Sequence, residues 1–238
     1  MQTGGNKAMI LAAGVGSRLR PLTDDRPKAL VEWKGRTLLE RVIEKLKEAG
    51  FSQIIINVHH FAEMIMEYVE RNDRFGTTIE FSHEKGELLD TGGGIAHAAW
   101  FFGSEPFLVH NVDIYSDIDL GLLMSAHKEK RALATLAVKE RETSRSLLMS
   151  SSGFLAGWRD NRTGETIMAA EEEKETLTPI AFSGIQVIDP ELIALFPRKR
   201  TFPLVPFYLE VARSQPVFLH RHNNDTWIDM GRLDSYER

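Results

Sequence analysis

The sequence predicts an α/β fold, three layers deep, with helices on both faces of a mixed, mostly parallel sheet. Three observations predict it. Ala8-Met9-Ile10-Leu11-Ala12-Ala13 is a continuous apolar run, the pattern of a strand buried on both faces rather than one. Ile54-Ile55-Ile56-Asn57-Val58 is a second such run. Between them Leu39, Val42, Ile43 and Leu46 recur at helical spacing, which makes a β-α-β unit and hence a parallel pair.

The remaining elements follow in order. A loop marked by glycine and proline spans 14–28, then Thr37 with Glu40 reads as a capping box and Ala49-Gly50 as its helix's end. Positions 61–69 have a helical pattern and 77–82 that of a strand. The cluster Gly92-Gly93-Gly94 is expected to precede a helix over 95–102, with strands at 106–110 and 132–138 around a helix at 120–130. Segments 147–150 and 154–158, joined around Ser152-Gly153, form an expected hairpin, and 171–175 a solvated charged loop. A strand at 180–188, a short helix started by Pro190, a helix at 204–214, a strand at 217–222 and a helix start from Asp234 complete the reading. No repeat or linker divides the chain, so a single domain over 1–238 is expected.

Composition narrows the function. The 238 residues hold no cysteine, which excludes disulfide scaffolds, thiolate metal centres and a cysteine nucleophile. With 29 Lys+Arg against 34 Asp+Glu the net charge is −5, which argues against nucleic acid as a partner. No apolar window reaches the length of about 18 residues that a membrane span needs. Positions 1–6 lack the order of a signal peptide, Gly4-Gly5 reads as a flexible leader, and a cytoplasmic location is expected.

An acidic protein that handles phosphates must gather its positive charge locally, and 14–28 does so. Gly14 and Gly16 let backbone N–H groups face a triphosphate, while Arg18, Arg20, Arg26 and Lys28 supply four cations. A dinucleotide-binding loop fits poorly, because Leu19 stands where the third glycine should be and Pro21 follows. A nicotinamide enzyme would also need an acid farther from the loop than Glu32. Taken alone, the loop is a glycine turn with solvated basic residues.

The whole string decides otherwise. Leu11-Ala12-Ala13-Gly14-Val15-Gly16-Ser17-Arg18-Leu19-Arg20-Pro21-Leu22-Thr23, followed by Pro27-Lys28, resembles the signature of the sugar-1-phosphate nucleotidyltransferases. Three more segments resemble that family in its order: Leu88-Leu89-Asp90-Thr91-Gly92-Gly93-Gly94-Ile95, Phe107-Leu108-Val109-His110-Asn111-Val112-Asp113 and Trp227-Ile228-Asp229-Met230-Gly231. The resemblance implies a Rossmann-like fold of the nucleotide-diphospho-sugar transferase type, with a nucleotide-binding half over about 7–130 and a sugar-binding half over about 131–238. It also implies that the C-terminal β-helix domain of larger relatives is missing.

The implied reaction joins a nucleoside triphosphate to a sugar 1-phosphate, releasing pyrophosphate, with Mg²⁺ as cofactor. The nucleophile is already an anion, so the protein's task is to unite two polyanions and stabilise charge. By resemblance Asp113 and Asp229 hold the metal, and Arg18 and Lys28 meet the phosphates. Leu11, Ala12, Ala13, Gly14, Gly16, Ser17, Thr91, Gly92 and Gly93 are implied nucleotide contacts, with Glu84 a further candidate. Asp113 alone would be a loop cap and Asp229 a surface acid; the family order makes them ligands.

The sugar side departs from the pattern. The family's Glu-Lys-Pro lysine is missing, with Arg159 or Lys174 as substitutes, and Arg145-Ser146 stands where a glycine turn is usual. Asn111, Ser183 and Gly184 are the other implied sugar contacts. His59-His60 reads as structural, His220 and His222 have no assignment for want of an acidic neighbour, and Trp227 reads as packing. The compact form resembles the N-acetylmuramate-1-phosphate uridylyltransferases, which implies UTP. Mannose- or heptose-1-phosphate guanylyltransferases and glucose-1-phosphate thymidylyl- or uridylyltransferases are alternatives, and a nucleotide sensor without turnover is the reading from another class. Neither the base, the sugar nor the oligomeric state is fixed by the sequence.

Overall fold

The computed structural model describes residues 6–169 and 176–236. The leader glycines Gly4-Gly5, the charged stretch 171–175 and Lys174 lie outside the described residues.

Strand β1 (Asn6–Leu11) enters the centre of a ten-stranded sheet, and its alternation shows why the apolar run is continuous. Met9 packs into one apolar cluster, whereas Ala8 and Ile10 pack into another on the opposite face. A hairpin of β2 (Glu32–Trp33) and β3 (Arg36–Thr37) leads into α1 (Leu38–Glu48). The Thr37 hydroxyl accepts the Glu40 N–H at 3.1 Å, as a capping residue should. Glu40 does not close the reciprocal half of the box: its carboxylate accepts from the Tyr68 hydroxyl instead. Leu39, Val42, Ile43 and Leu46 are buried as their spacing requires. Strand β4 (Phe51–Val58) pairs parallel with β1, then α2 (Ala62–Arg71) leads to β5 (Thr78–His83), parallel to β4.

The next helix departs from the sequence reading. It is α3 (Asp90–His97), followed by a 3₁₀ turn at Ala99–Phe101, not a helix over 95–102. The glycines lie inside it because the helix is packed too closely for side chains. A β-carbon at Gly92 or Gly93 would collide with the Phe202 ring or the Arg200 carbonyl, and one at Gly94 would stand 2.7 Å from Glu84 Oε1. Packing overrides the usual weakness of glycine in a helix.

Strand β6 (Phe107–Asn111) pairs parallel with β1 on its other side, and β7 (Ile114–Ser116) follows after a two-residue break. Helix α4 (Leu120–Lys130) is capped by Asp119, whose carboxylate accepts the Leu122 N–H. Strand β8 (Ala134–Lys139) opens the second half, and β9 (Arg145–Met149) with β10 (Leu155–Asp160) forms the expected hairpin, extended by β11 (Thr166–Met168). The long β12 (Thr178–Ile188) pairs antiparallel with β6, β8 and β9, so the two halves share one mixed sheet. A register shift between Phe182 and Gln186, with Gly184 at φ 74°, bends β12 where it passes Asn111. Helices α5 (Glu191–Ala194) and α6 (Leu204–Val211) cover this half. Strand β13 (Val217–Arg221) pairs parallel with β8, and β14 (Trp227–Asp229) pairs antiparallel with β7 outside the main sheet. A 3₁₀ turn at Leu233–Ser235 stands where a helix start was expected. No helix among the described residues is long and apolar enough to cross a membrane.

Candidate active site

The C-terminal ends of β1, β4 and β6 open on one cavity of about 540 Å³. That is where an open α/β sheet presents its ligands, because the connecting loops diverge there. Leu11, Ala13, Gly14, Arg18, Lys28, Glu84, Thr91, Asn111 and Asp113, all singled out by the sequence, line it.

Its floor is a buried polar chain. Asn57 Oδ1 accepts the Ala12 N–H at 2.8 Å, Asn57 Nδ2 donates to Glu84 Oε1 at 2.7 Å, and Glu84 Oε2 accepts the Leu89 N–H at 2.9 Å. Both oxygens of Glu84 are thus engaged, so this carboxylate ties β1 to the loop before α3 through Asn57. Ala12 is buried and contributes through that N–H. Gly92 and Gly93 are buried in α3, and neither lines the cavity. Ser17 is exposed beside it. Gly16 turns the phosphate-type loop at φ 71°, and Thr23 braces the turn by donating to its carbonyl at 2.9 Å. Leu19, fully buried, anchors the same loop in the core.

A small ribbon brings the two aspartates together. Asp229 sits opposite Ile114 in the β7–β14 pairing, one residue past Asp113, and the Met230 N–H donates to the Asp113 carbonyl at 2.8 Å. A β-carbon on Gly231 would stand 2.7 Å from Asp113 Oδ2, 2.9 Å from Asp229 Oδ1 and 3.1 Å from Arg18 Nη2. The absent side chain therefore leaves a cradle on which two carboxylates and a guanidinium converge. Two oxygen donors with room for phosphate oxygens and water suit a hard cation such as Mg²⁺. Among the described residues no group of three or more His, Cys, Asp and Glu could form an all-protein metal cage.

Cations face this pair. Lys28 Nζ is 2.8 Å from Asp113 Oδ2, both side chains being largely buried. Arg18 and Arg232 approach Asp229 Oδ2 at 3.9 and 3.4 Å. Burial pushes the Tyr236 phenol up to about 12, helped by the charges of Asp113 and Asp229, so its hydroxyl stays protonated beside them.

The sugar-side candidates separate. Ser183 is buried, 2.6 Å from His222 Nε2, while its carbonyl accepts the Trp227 indole N–H at 2.9 Å. Gly184 backs onto Asn111. Arg159 pairs with Ser146 across the β9–β10 ladder, on the opposite face from Trp158 and Leu147. The latter two line a second cavity of about 440 Å³, which also touches Thr91, and among the described residues its one cation is Arg145 rather than Arg159. His222 has the acidic neighbour that the sequence reading overlooked, Asp225 at 3.7 Å, and burial depresses its pKa to about 4. His59 contacts the Glu84 carbonyl, a structural role.

Three residues escaped the sequence reading. Asn57 is a polar side chain closing an apolar strand, a signal that could have marked it. Arg141 lies against the Trp227 ring at 4.0 Å and donates to the Phe182 carbonyl, and burial lowers its pKa. Arg145 was visible only as a departure from a pattern.

Comparison with known proteins decides the lineage. Residues 7–147 match the nucleotidyl transferase family. The chain belongs to it. It is 44% identical over 231 residues to an N-acetylmuramate α-1-phosphate uridylyltransferase of Neisseria meningitidis, covering 95% of this chain and 94% of that one. It is 32% identical to a UTP–glucose-1-phosphate uridylyltransferase of Synechocystis, covering 97% of this chain but spanning only 61% of that relative's length. The crystal structure of HddC from Yersinia pseudotuberculosis shares the fold, with a TM-score of 0.78 at 22% identity over 98% of this chain and 96% of that one.

Proposed function

We propose that this sugar-1-phosphate nucleotidyltransferase joins UTP to N-acetylmuramate 1-phosphate, with Mg²⁺ held between Asp113 and Asp229. The observation that carries the reading is the convergence of Asp113, Asp229 and Arg18 around Gly231, with Lys28 on Asp113, at one end of the nucleotide-sized cavity. The 44% identical uridylyltransferase supports the choice of base and sugar.

An oxygen of the sugar phosphate forms a bond to the α-phosphorus, the bridging bond to the β-phosphate breaks, and pyrophosphate leaves with that electron pair. The nucleophile needs no general base, which agrees with a site where cations face carboxylates and no histidine lines the cavity. Arg18, largely exposed at the cavity's edge, holds the departing pyrophosphate with its forked donors. Lys28, tethered by Asp113, supplies a point charge where the α-phosphate must pass. The Ala12–Asn57–Glu84–Leu89 chain fixes the backbone edges that meet base and ribose. Bound Mg²⁺ would neutralise phosphate charge and align the two substrates. The triphosphate requirement fits a cytoplasmic enzyme.

Pyrophosphate release tests the reading. Purified protein with Mg²⁺ should turn over UTP and N-acetylmuramate 1-phosphate with a higher kcat/KM than any pairing of GTP, dTTP, CTP or ATP with mannose, heptose or glucose 1-phosphate. A better rate with another pairing overturns the assignment of base and sugar. Nucleotide binding without turnover of any pair overturns the enzyme reading.

A further inference from the structure

The second cavity, about 440 Å³, has a composition unlike a site for a bare hexose. Its walls are Leu147, Trp158, Ile167, Phe182 and one face of α6, with Pro203 at its start and Pro206 within it. A sugar with only hydroxyl groups would leave them without partners on such walls, at a cost for each unpaired group. Thr91 offers little, because its hydroxyl already donates to Asp90 and accepts the Leu204 N–H. Among the described residues, the one charged group in the lining is Arg145. Its backbone is fixed by Thr143 on both the N–H and carbonyl sides, and its guanidinium makes no ion pair among the described residues. The register that turns Arg159 away turns Arg145 inward, on the same face as Leu147 and Trp158. Because Thr91 lines both cavities, this one adjoins the proposed nucleotide site.

We propose that Arg145 is the specificity determinant for the sugar substrate, pairing with a carboxylate carried on the sugar ring or on its substituent, while the apolar walls take acetyl and alkyl groups. The inference deepens the proposed function, on which its choice of N-acetylmuramate rests. That sugar carries an acetamido methyl, an ether-linked propionate methyl and one carboxylate. A forked guanidinium can engage both carboxylate oxygens, and a neutral hexose gives it nothing. The apolar lining accounts for the preference of an acylated sugar over a simple uronate.

The test measures kcat/KM with UTP for two pairs of sugar 1-phosphates, one member of each carrying a carboxylate: N-acetylmuramate against N-acetylglucosamine, which differ by the whole ether-linked propionate, and glucuronate against glucose, which differ by the carboxylate in place of a hydroxymethyl group. In the wild type the carboxylate-bearing ether should raise kcat/KM about 10- to 50-fold in the first pair, the lower bound reflecting the solvent exposure of Arg145. Arg145→Gln should lower that ratio about 10-fold, leaving the small preference that the propionate methyl gains on the apolar walls, and Arg145→Lys should restore part of the loss, since a point charge replaces the fork. An unchanged ratio in Arg145→Gln, with the wild type still preferring N-acetylmuramate, overturns the role of Arg145 and leaves the proposed function standing. A wild type that favours glucuronate over N-acetylmuramate, with the preference for glucuronate over glucose lost in Arg145→Gln, supports Arg145 and overturns N-acetylmuramate as the substrate. A wild type indifferent to the carboxylate in both pairs overturns both.

Discussion

The two halves of the site are built on different principles. On the nucleotide side, one loop after β1 supplies Gly14, Arg18 and Lys28 within fifteen residues, and the network beneath it is polar and buried. On the sugar side, Arg145, Trp158, Phe182 and Leu204 come from four separate elements and meet only through tertiary packing. The contrast reflects what each half must recognise. A triphosphate presents the same charged oxygens whatever the base, so a local run of N–H groups and cations can serve it. Sugars differ in substituents, and only a surface assembled from distant segments can be reshaped one wall at a time. In the proposed function, chemistry is held locally and selectivity is held globally.

The largest test of this contrast is Asp113→Asn, expected to lower kcat for pyrophosphate release by about a thousandfold or more with either sugar class, because the proposed metal ligand and the tether of Lys28 are lost together. Unaltered turnover would remove the basis for the metal assignment, and EDTA should abolish wild-type activity in a manner that Mg²⁺ restores. Next comes Gly231→Ala. Its methyl group would fill the cradle beside Asp113 and Asp229, and a loss of about a hundredfold is expected at nearly unchanged Tm. Full activity would show that the cradle is not used. Arg18→Ala should cost about ten- to a hundredfold in kcat/KM for the triphosphate. Trp158→Ala should raise KM for the sugar by about tenfold and leave KM for the nucleotide within about twofold, through loss of an apolar wall. Equal effects on both KM values would break the division between the halves.

The smallest effect concerns stability. Burial depresses His110, on β6 in the first half, and His222, after β13 in the second, to about 4. In the unfolded chain both titrate near 6.5, so between these values the unfolded state binds more protons. Stability is therefore full above pH 6.5 and is lost as pH falls toward 4, and Tm should drop by about 5–10 °C over that interval. Because β12 joins both halves in one sheet, calorimetry should show a single transition throughout. Two transitions would mean that the halves unfold separately.

Much of the nucleotide side could be read from sequence because its signals are contiguous: the strand, the loop and the aspartate after β6 each lie in an unbroken string. Burial on both faces also made β1 and β4 legible, since no alternation obscured them. The glycines of α3 misled because their reason is the proximity of segment 200–202, more than a hundred positions away. Arg159 was named as a substitute for the family's lysine, while Arg145 stood only as a departure from a turn, for a similar reason. Which of two neighbouring strand residues faces a cavity depends on pairing register, and no local property of either residue encodes it. Asn57 was within reach, since a polar residue ending an apolar strand at the ligand edge has a reason to be there.

The ribbon of β7 and β14 lies outside the ten-stranded sheet. Three residue pairs hold it together, and the bond from the Met230 N–H to the Asp113 carbonyl is a further tie. Loosening those few bonds would part Asp229 from Asp113 while leaving the ladders of the main sheet intact. In the proposed function, a chain in that state would keep its phosphate loop with one of its two carboxylates, and could hold nucleotide without consuming it.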